Sequence, residues 1–366
     1  MILWRLTYHL RPKARLMLQY LNARVAPLRL LLLSAVAILG FTTTSCSLFG
    51  THKKVQVPQL LTPIVEANKD QLIREVNRLA TVKSIHGKVD IQFEDTSFAS
   101  VGIAEKYRQV DGNLTLQRPS KIYLTLQFTI VEIAQMASDG EHFAVAVLQG
   151  DEKYRRFVKG TNSAVYPRLD HTADSSSSSK QKKGEKETVS ALSNLRPQHL
   201  TDAYMIRPID TSAGFIYSQS EFFQEETDTR PQAKKGTRVM RGYYLLEELS
   251  EPKGGESQVL RRFWFDRVDK IRLARLQTFD AQGQIVTDVS YFEEKQIGSG
   301  DTAVMPTKIE VTRPKDQYKL RLTYQDPLSV DLNKEYPPQA FVLQNKWQLP
   351  EVDLDAQKNK KLTANQ

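Results

Sequence analysis

Gly112-Asn-Leu-Thr-Leu-Gln-Arg-Pro-Ser-Lys-Ile-Tyr-Leu-Thr-Leu-Gln-Phe128 is the stretch from which the fold can be read. Ile122, Leu124, Leu126 and Phe128 alternate with Lys121, Tyr123, Thr125 and Gln127, the period of two that puts apolar side chains on one face of a strand. Arg118-Pro119 supplies turn chemistry ahead of that strand. Upstream, Ile85, Gly87, Val89, Ile91 and Phe93 alternate in the same way with His86, Lys88, Asp90 and Gln92. Further strands are expected over 104–116, 131–138, 143–148 and 154–158, separated by Asp111-Gly112, Asp139-Gly140 and Gly150-Asp151. Together they make an antiparallel meander.

A second block of strands is expected over 214–220, 241–248, 259–265, 271–279, 285–292, 306–312 and 318–324. Asp280-Ala-Gln-Gly283 and Pro314-Lys-Asp316 serve as turns within it. Ahead of both blocks, Thr62 can act as N-cap with Pro63 at the first helical position. Val65, Leu72, Val76, Leu79 and Ala80 then recur at helical spacing, with Glu66, Lys69, Asp70, Arg74 and Arg78 between them. This predicts an amphipathic helix over 63–82. A second helical segment, 189–205, is interrupted by Arg196-Pro197. The expected class is mainly β with helices (α+β): a curved antiparallel sheet forming an incomplete β-barrel, its apolar concave face covered by the amphipathic helix.

The first 45 residues carry Arg5, Arg11, Lys13, Arg15, Arg24 and Arg29 and no acidic residue. The apolar run 30–40 is too short for a membrane span, which needs about 20 apolar residues, and suits the core of a secretion signal. Thr43-Thr44-Ser45-Cys46 resembles a lipobox with Thr43 at the usual Leu position, so Cys46 is the expected lipidation site. A lone cysteine in an exported chain cannot form an internal disulfide. Residues 46–61 read as a lipidated N-terminus and flexible tether, 62–349 as the folded domain, and 350–366 as a loose polar tail. Within the domain, the Ser- and Lys-rich stretch at about 160–187 cannot pack a core and reads as a disordered insertion.

Without the signal, 45 of the 51 basic residues stand against 42 acidic ones. That near balance gives no reason to invoke nucleic acid. Arg261-Arg-Phe-Trp-Phe265 reads as a strand with Phe263 on one face and Trp264 on the other, not as a base-stacking platform. His9, His52, His86, His142, His171 and His199 are scattered without ligand spacing, and Asp139, Glu141 and His142 fit a polar hairpin turn better than a metal site. Glu225-Glu226, Glu247-Glu248 and Glu293-Glu294 are adjacent, so on strands they face apart and read as solvated surface. No nucleophile elbow or phosphate loop occurs. The sequence therefore calls for no catalytic residue, metal or cofactor.

The residues Gly112, Leu114, Arg118, Pro119 and Lys121, followed by Ser138-Asp-Gly140 and Tyr154-Arg-Arg-Phe157, carry a family resemblance. They resemble the outer-membrane lipoprotein carrier and receptor proteins (LolA/LolB-like), over most of the chain from Thr62 to about Phe341. That resemblance implies an incomplete barrel holding acyl chains, with no catalytic group. Val89, Ile91, Phe93, Ile122, Leu124, Leu126 and Phe128 are then candidate cavity wall, and Val65, Leu72, Val76 and Leu79 the helical lid. The same wall positions would form a dry core if the helix packs tightly. The implied partners are lipid or the acyl chains of another lipoprotein, and a membrane through the anchor at Cys46, with Ser47 compatible with the periplasmic face of the outer membrane. The alternative is a structural or assembly lipoprotein binding an envelope protein.

Overall fold

The computed structural model describes residues 57–96, 105–106, 109–150, 152, 155–164, 166, 195–252 and 254–357. The signal, Cys46, most of the tether and most of the Ser/Lys-rich stretch lie outside the described residues.

In chain order the first strands are β1 (Gln59–Leu60), β2 (Ser84–Asp95), β3 (Glu105–Lys106), β4 (Val110–Gln117), β5 (Lys121–Phe128), β6 (Val131–Ser138), β7 (His142–Val147) and β8 (Arg156–Thr161). Then come β9 (Ile216–Thr227), β10 (Arg238–Leu249), β11 (Val259–Asp266), β12 (Arg272–Phe279), β13 (Ile285–Ile297), β14 (Ala303–Arg313), β15 (Tyr318–Tyr324), β16 (Asp331–Leu332) and β17 (Glu351–Asp353). Helix α1 (Lys69–Ala80) lies between β1 and β2, and α2 (Pro197–Tyr204) between β8 and β9.

Hydrogen bonding runs from β9 through β10, β11, β12, β13, β14 and β15 to β2, and on through β4, β5, β6, β7 and β8 to β17. This single open sheet is not closed into a barrel. Strand β2 joins the two blocks, pairing with β15 from Val89 to Asp95 and with β4 from Ser84 to Ile91. Two pairings are parallel, β1 with β10 and β17 with β8, so the sheet is mixed where a purely antiparallel one was expected. Both parallel strands are short pieces near the ends of the described fold.

These two strands also revise the expected boundaries. Gln59 and Leu60 pair with Val239 and Met240, and Leu61 is buried, so order begins before Thr62. The expected loose tail instead pairs Glu351, Val352 and Asp353 with Phe157, Val158 and Lys159, and buries Leu354.

The expected helix start is also corrected. The chain from Pro63 to Ala67 is extended along the β11–β12 connection: Asp269 N–H donates to the Pro63 carbonyl and Val65 N–H to the Arg267 carbonyl. Val65 therefore precedes the helix and is not part of its lid face. Asn68 is the cap. Its side chain accepts from Gln71 N–H at 3.0 Å while the Gln71 side chain accepts from Asn68 N–H at 2.8 Å, a capping box that satisfies two orphan amides at once. Leu72, Val76 and Leu79 face the core, with Leu72 and Val76 fully buried. Each contributes up to about 1.5–3 kcal/mol by leaving water.

Candidate functional site

Val89, Ile91, Phe93, Ile122, Leu124 and Leu126 are all buried, and Phe128 packs half-buried against them. Gly112 fits this wall because any side chain would intrude: a Cβ there would stand 3.0 Å from Val89 and Ile91 side chains and 3.2 Å from Leu124. The apolar face expected from the alternation exists, and protein covers it. One continuous cluster joins these residues to Leu72, Val76 and Leu79 of α1. It also takes in Leu200, Ala203 and Tyr204 of α2 and the following Met205, Ile206 and Ile209. Helix α2 packs on β5, β6 and β14, whereas α1 packs on β12. The interior thus has two helical covers, of which the sequence pattern assigned only one.

Polar joints tie the covers together. Arg118 donates through Nε to the Val82 carbonyl at 2.8 Å, and through its two Nη atoms to the Met205 and Ile206 carbonyls at 3.2 and 3.1 Å. One guanidinium therefore holds the chain leaving α1 and the chain leaving α2, and burial pushes its pKa down. Asn77 of α1 exchanges a reciprocal pair with Ile209, donating to its carbonyl at 3.0 Å and accepting from its N–H at 2.8 Å. Tyr291 donates from β13 to the Ala203 carbonyl at 3.0 Å. Arg118 was legible as part of a turn; its grip on both helices was not.

Ionisable groups cluster on and beside α2. His199 is hydrogen-bonded through Nδ1 to the Tyr318 hydroxyl, and burial, aided by Arg313 and Arg196, holds its pKa well below the ordinary imidazole value. Asp202 keeps contact with solvent, yet the protein around it raises its carboxyl to about 6 against the opposing pull of Arg207 and Arg313. Arg196, at the N-cap, stacks 5.0 Å from the ring centres of both Phe143 and Tyr166.

Close to α2, Glu248 and Arg261 form an ion pair inside the sheet's core face. Arg261 also donates to the Arg207 carbonyl at 2.9 Å, and the Tyr217 hydroxyl donates to Glu248 at 2.8 Å. Without these extra partners a buried pair would not repay its desolvation. The reading of Glu247-Glu248 as solvated surface is therefore half right. Glu247 pairs with Arg262 on the outer face, and Glu248 faces inward. Phe263 and Trp264 take opposite faces, as the strand reading requires; Trp264 Nε1 donates to Gln277 at 3.0 Å. At Asp139-Gly140 the Asp139 carboxylate accepts from the Glu141 and His142 amides at 2.8 and 2.7 Å, and Gly140 has a φ of 106°, so this is a turn.

A separate opening lies in the second block. β12 and β13 pair from Phe279↔Ile285 only as far as Arg275↔Ser290. Beyond that point β12 continues against β11 and β13 against β14. The split holds a cleft of about 760 Å³, within the range of ligand sites. None of the seven expected wall residues lines it.

No family model matches the chain, and no curated protein does. Among solved structures, a LolA superfamily protein from Nitrosomonas europaea matches at 11% identity over 76% of this chain and 99% of its own, with a TM-score of 0.35. A DUF1329 family protein from Desulfovibrio piger matches at 14% identity over 74% of this chain and 95% of its own, TM-score 0.33. A domain described as that of an outer membrane lipoprotein-sorting protein, from Vibrio parahaemolyticus, matches at 10% identity over 77% and 99%, TM-score 0.36. At such identities the likeness concerns the fold alone.

Proposed function

We propose that this protein is a lipid-anchored protein of the cell envelope, held through Cys46 on the periplasmic face of the outer membrane. In this reading it binds lipid, or the acyl chains of another lipoprotein, on the concave face now covered by α2. The observation that carries the reading is the cover itself. The face is apolar from β2 through β5, and what fills it is a separate eight-residue helix with its trailing segment, joined to α1 by Arg118 and Asn77.

The energies are matched. Burying Leu200, Tyr204, Met205, Ile206 and Ile209 contributes on the order of 10 kcal/mol in all. A 16-carbon acyl tail leaving water contributes on the order of 10 kcal/mol before ordering costs. A tail and the α2 segment therefore offer apolar burial of the same order, which is what exchange between them requires. No catalytic group is needed for this exchange, so the reading is of a binding protein and not an enzyme.

The test is to purify the chain without residues 1–46, extract it with organic solvent and analyse the extract by mass spectrometry, alongside uptake of a fluorescent fatty acid. Bound acyl chains or saturable uptake support the reading; an empty extract together with no uptake overturns it. A protein partner is favoured by one other observation: β9 is a 12-residue edge strand with Phe222 and Phe223 exposed, an edge onto which an extended segment could pair.

A further inference from the structure

The β12–β13 split has a local cause. Glu293 has a φ of 53°, in the left-handed region, and Pro306, opposite Glu294, has no N–H to give to β13. β13 consequently bends away with β14 while Arg272, Leu273 and Ala274 stay with β11. The floor of the resulting cleft is Leu79, Leu273 and Tyr291, three members of the main core cluster, and its walls include Trp264 and Phe292. Here the cleft reaches from the charged face of the sheet to the side chains beneath α1.

Its charges are unequal in availability. Arg241 is paired with Glu226 and Asp266, Arg272 with Asp266, and Arg275 with Asp288. Glu294 is held by Arg78 and Lys270, and Glu293 by Lys295. Lys308, whose ammonium lies 5.5 Å from the centre of the Phe292 ring, has no ion-pair partner among the described residues. The cleft therefore presents an apolar floor, aromatic walls and one unspent positive charge at the rim.

We propose that this cleft is a lateral portal for a single-chain anionic amphiphile, its tail directed to Leu79, Leu273 and Tyr291 and its headgroup held by Lys308. The proposal rests on the acyl-binding reading and deepens it by naming the ligand class and the way in. The Arg78–Glu294–Lys270 network then borders the portal on the α1 side, with Arg78 also hydrogen-bonded to the Val304 carbonyl.

The test uses the full chain and a palmitate analogue bearing a diazirine at the end of its tail, with the labelled peptides mapped by mass spectrometry. Labelling is expected in β12 and β13, around Ala274 and Tyr291. Ala274→Trp, which fills the cleft, should abolish that labelling. Lys308→Glu, a change at the rim that spares the core, should weaken palmitate binding by at least about tenfold, as loss of a charge-assisted contact implies, and should not weaken binding of the methyl ester. Labelling confined to β2, β5 and α2, or unchanged in both variants, overturns the portal while leaving acyl binding intact. No labelling anywhere overturns both.

Discussion

Replacing Arg118 with Met keeps the length of the side chain and removes its five donors. In the native protein three of those donors reach main-chain carbonyls, those of Val82, Met205 and Ile206. Hydrogen bonds to a charged group contribute about 1.5–3 kcal/mol each. They are not additive here, because one guanidinium makes all three and water can reach part of the site, so the expected loss for Arg118→Met is about 3 kcal/mol. Urea unfolding at neutral pH measures it directly. Arg118→Lys should recover only part of the loss, since one ammonium cannot span carbonyls from two separate segments. The joint also predicts a functional effect: the Met variant should take up a fluorescent fatty acid faster than wild type. A stability within about 0.5 kcal/mol of wild type and unchanged uptake would refute the role given to this residue.

Four further outcomes are expected. His199 is neutral in the fold and ordinary when unfolded, so the unfolded chain binds more protons below about pH 6.5 and stability falls on acidification, by up to about 1.4 kcal/mol per pH unit; His199→Gln should flatten that limb in urea titrations between pH 7 and 5. Asp202 acts with the opposite sign. Its carboxyl, raised to about 6, contributes stability that is lost as pH rises from about 4 through 6, so Asp202→Asn should steepen the acid limb of a wild-type background. Gly112→Val places methyl groups against Val89, Ile91 and Leu124 and should cost about 1–3 kcal/mol in thermal or urea unfolding. Cys46→Ser should remove the lipid and shift the protein out of the detergent phase in a partition assay.

The strands were legible because a half-buried sheet writes its period directly into the sequence. The alternation around Ile122 and around Val89 places β5 and β2 where they occur, and buries the predicted side. Helix α1 was legible in its apolar stripe but misplaced at its start. Thr62-Pro63 satisfies the usual N-cap pattern, yet Asn68 and Gln71 form the reciprocal cap, and the residues between them are committed to the β11–β12 connection. Helix α2 falls inside the second expected helical segment, 189–205, but its place as a cover of the sheet carried little signal. Eight residues after Arg196-Pro197 are too few for periodicity to stand out, and their importance comes from where the sheet receives them.

Buried charge was the least legible feature. Neither Glu248 nor Arg267 differs in sequence from surface residues of the same type. Arg267 is nevertheless buried, paired with Glu66 and Glu221 and lying 4.1 Å from the centre of the Tyr244 ring. Its inward position follows from strand register and from the return of residues 64–66 over the sheet. Strand β17 escaped for the converse reason. A three-residue parallel strand needs only a neighbour, here β8, and no pattern of its own.

Hydrogen exchange with and without palmitate tests the exchange between α2 and an acyl chain most directly. Amides of residues 197–209 should lose protection when palmitate binds, while those of β2 and β5 keep theirs. Binding of palmitate with unchanged or greater protection across 197–209 would contradict the account, because the helix would then be part of the core and not the cover of a site.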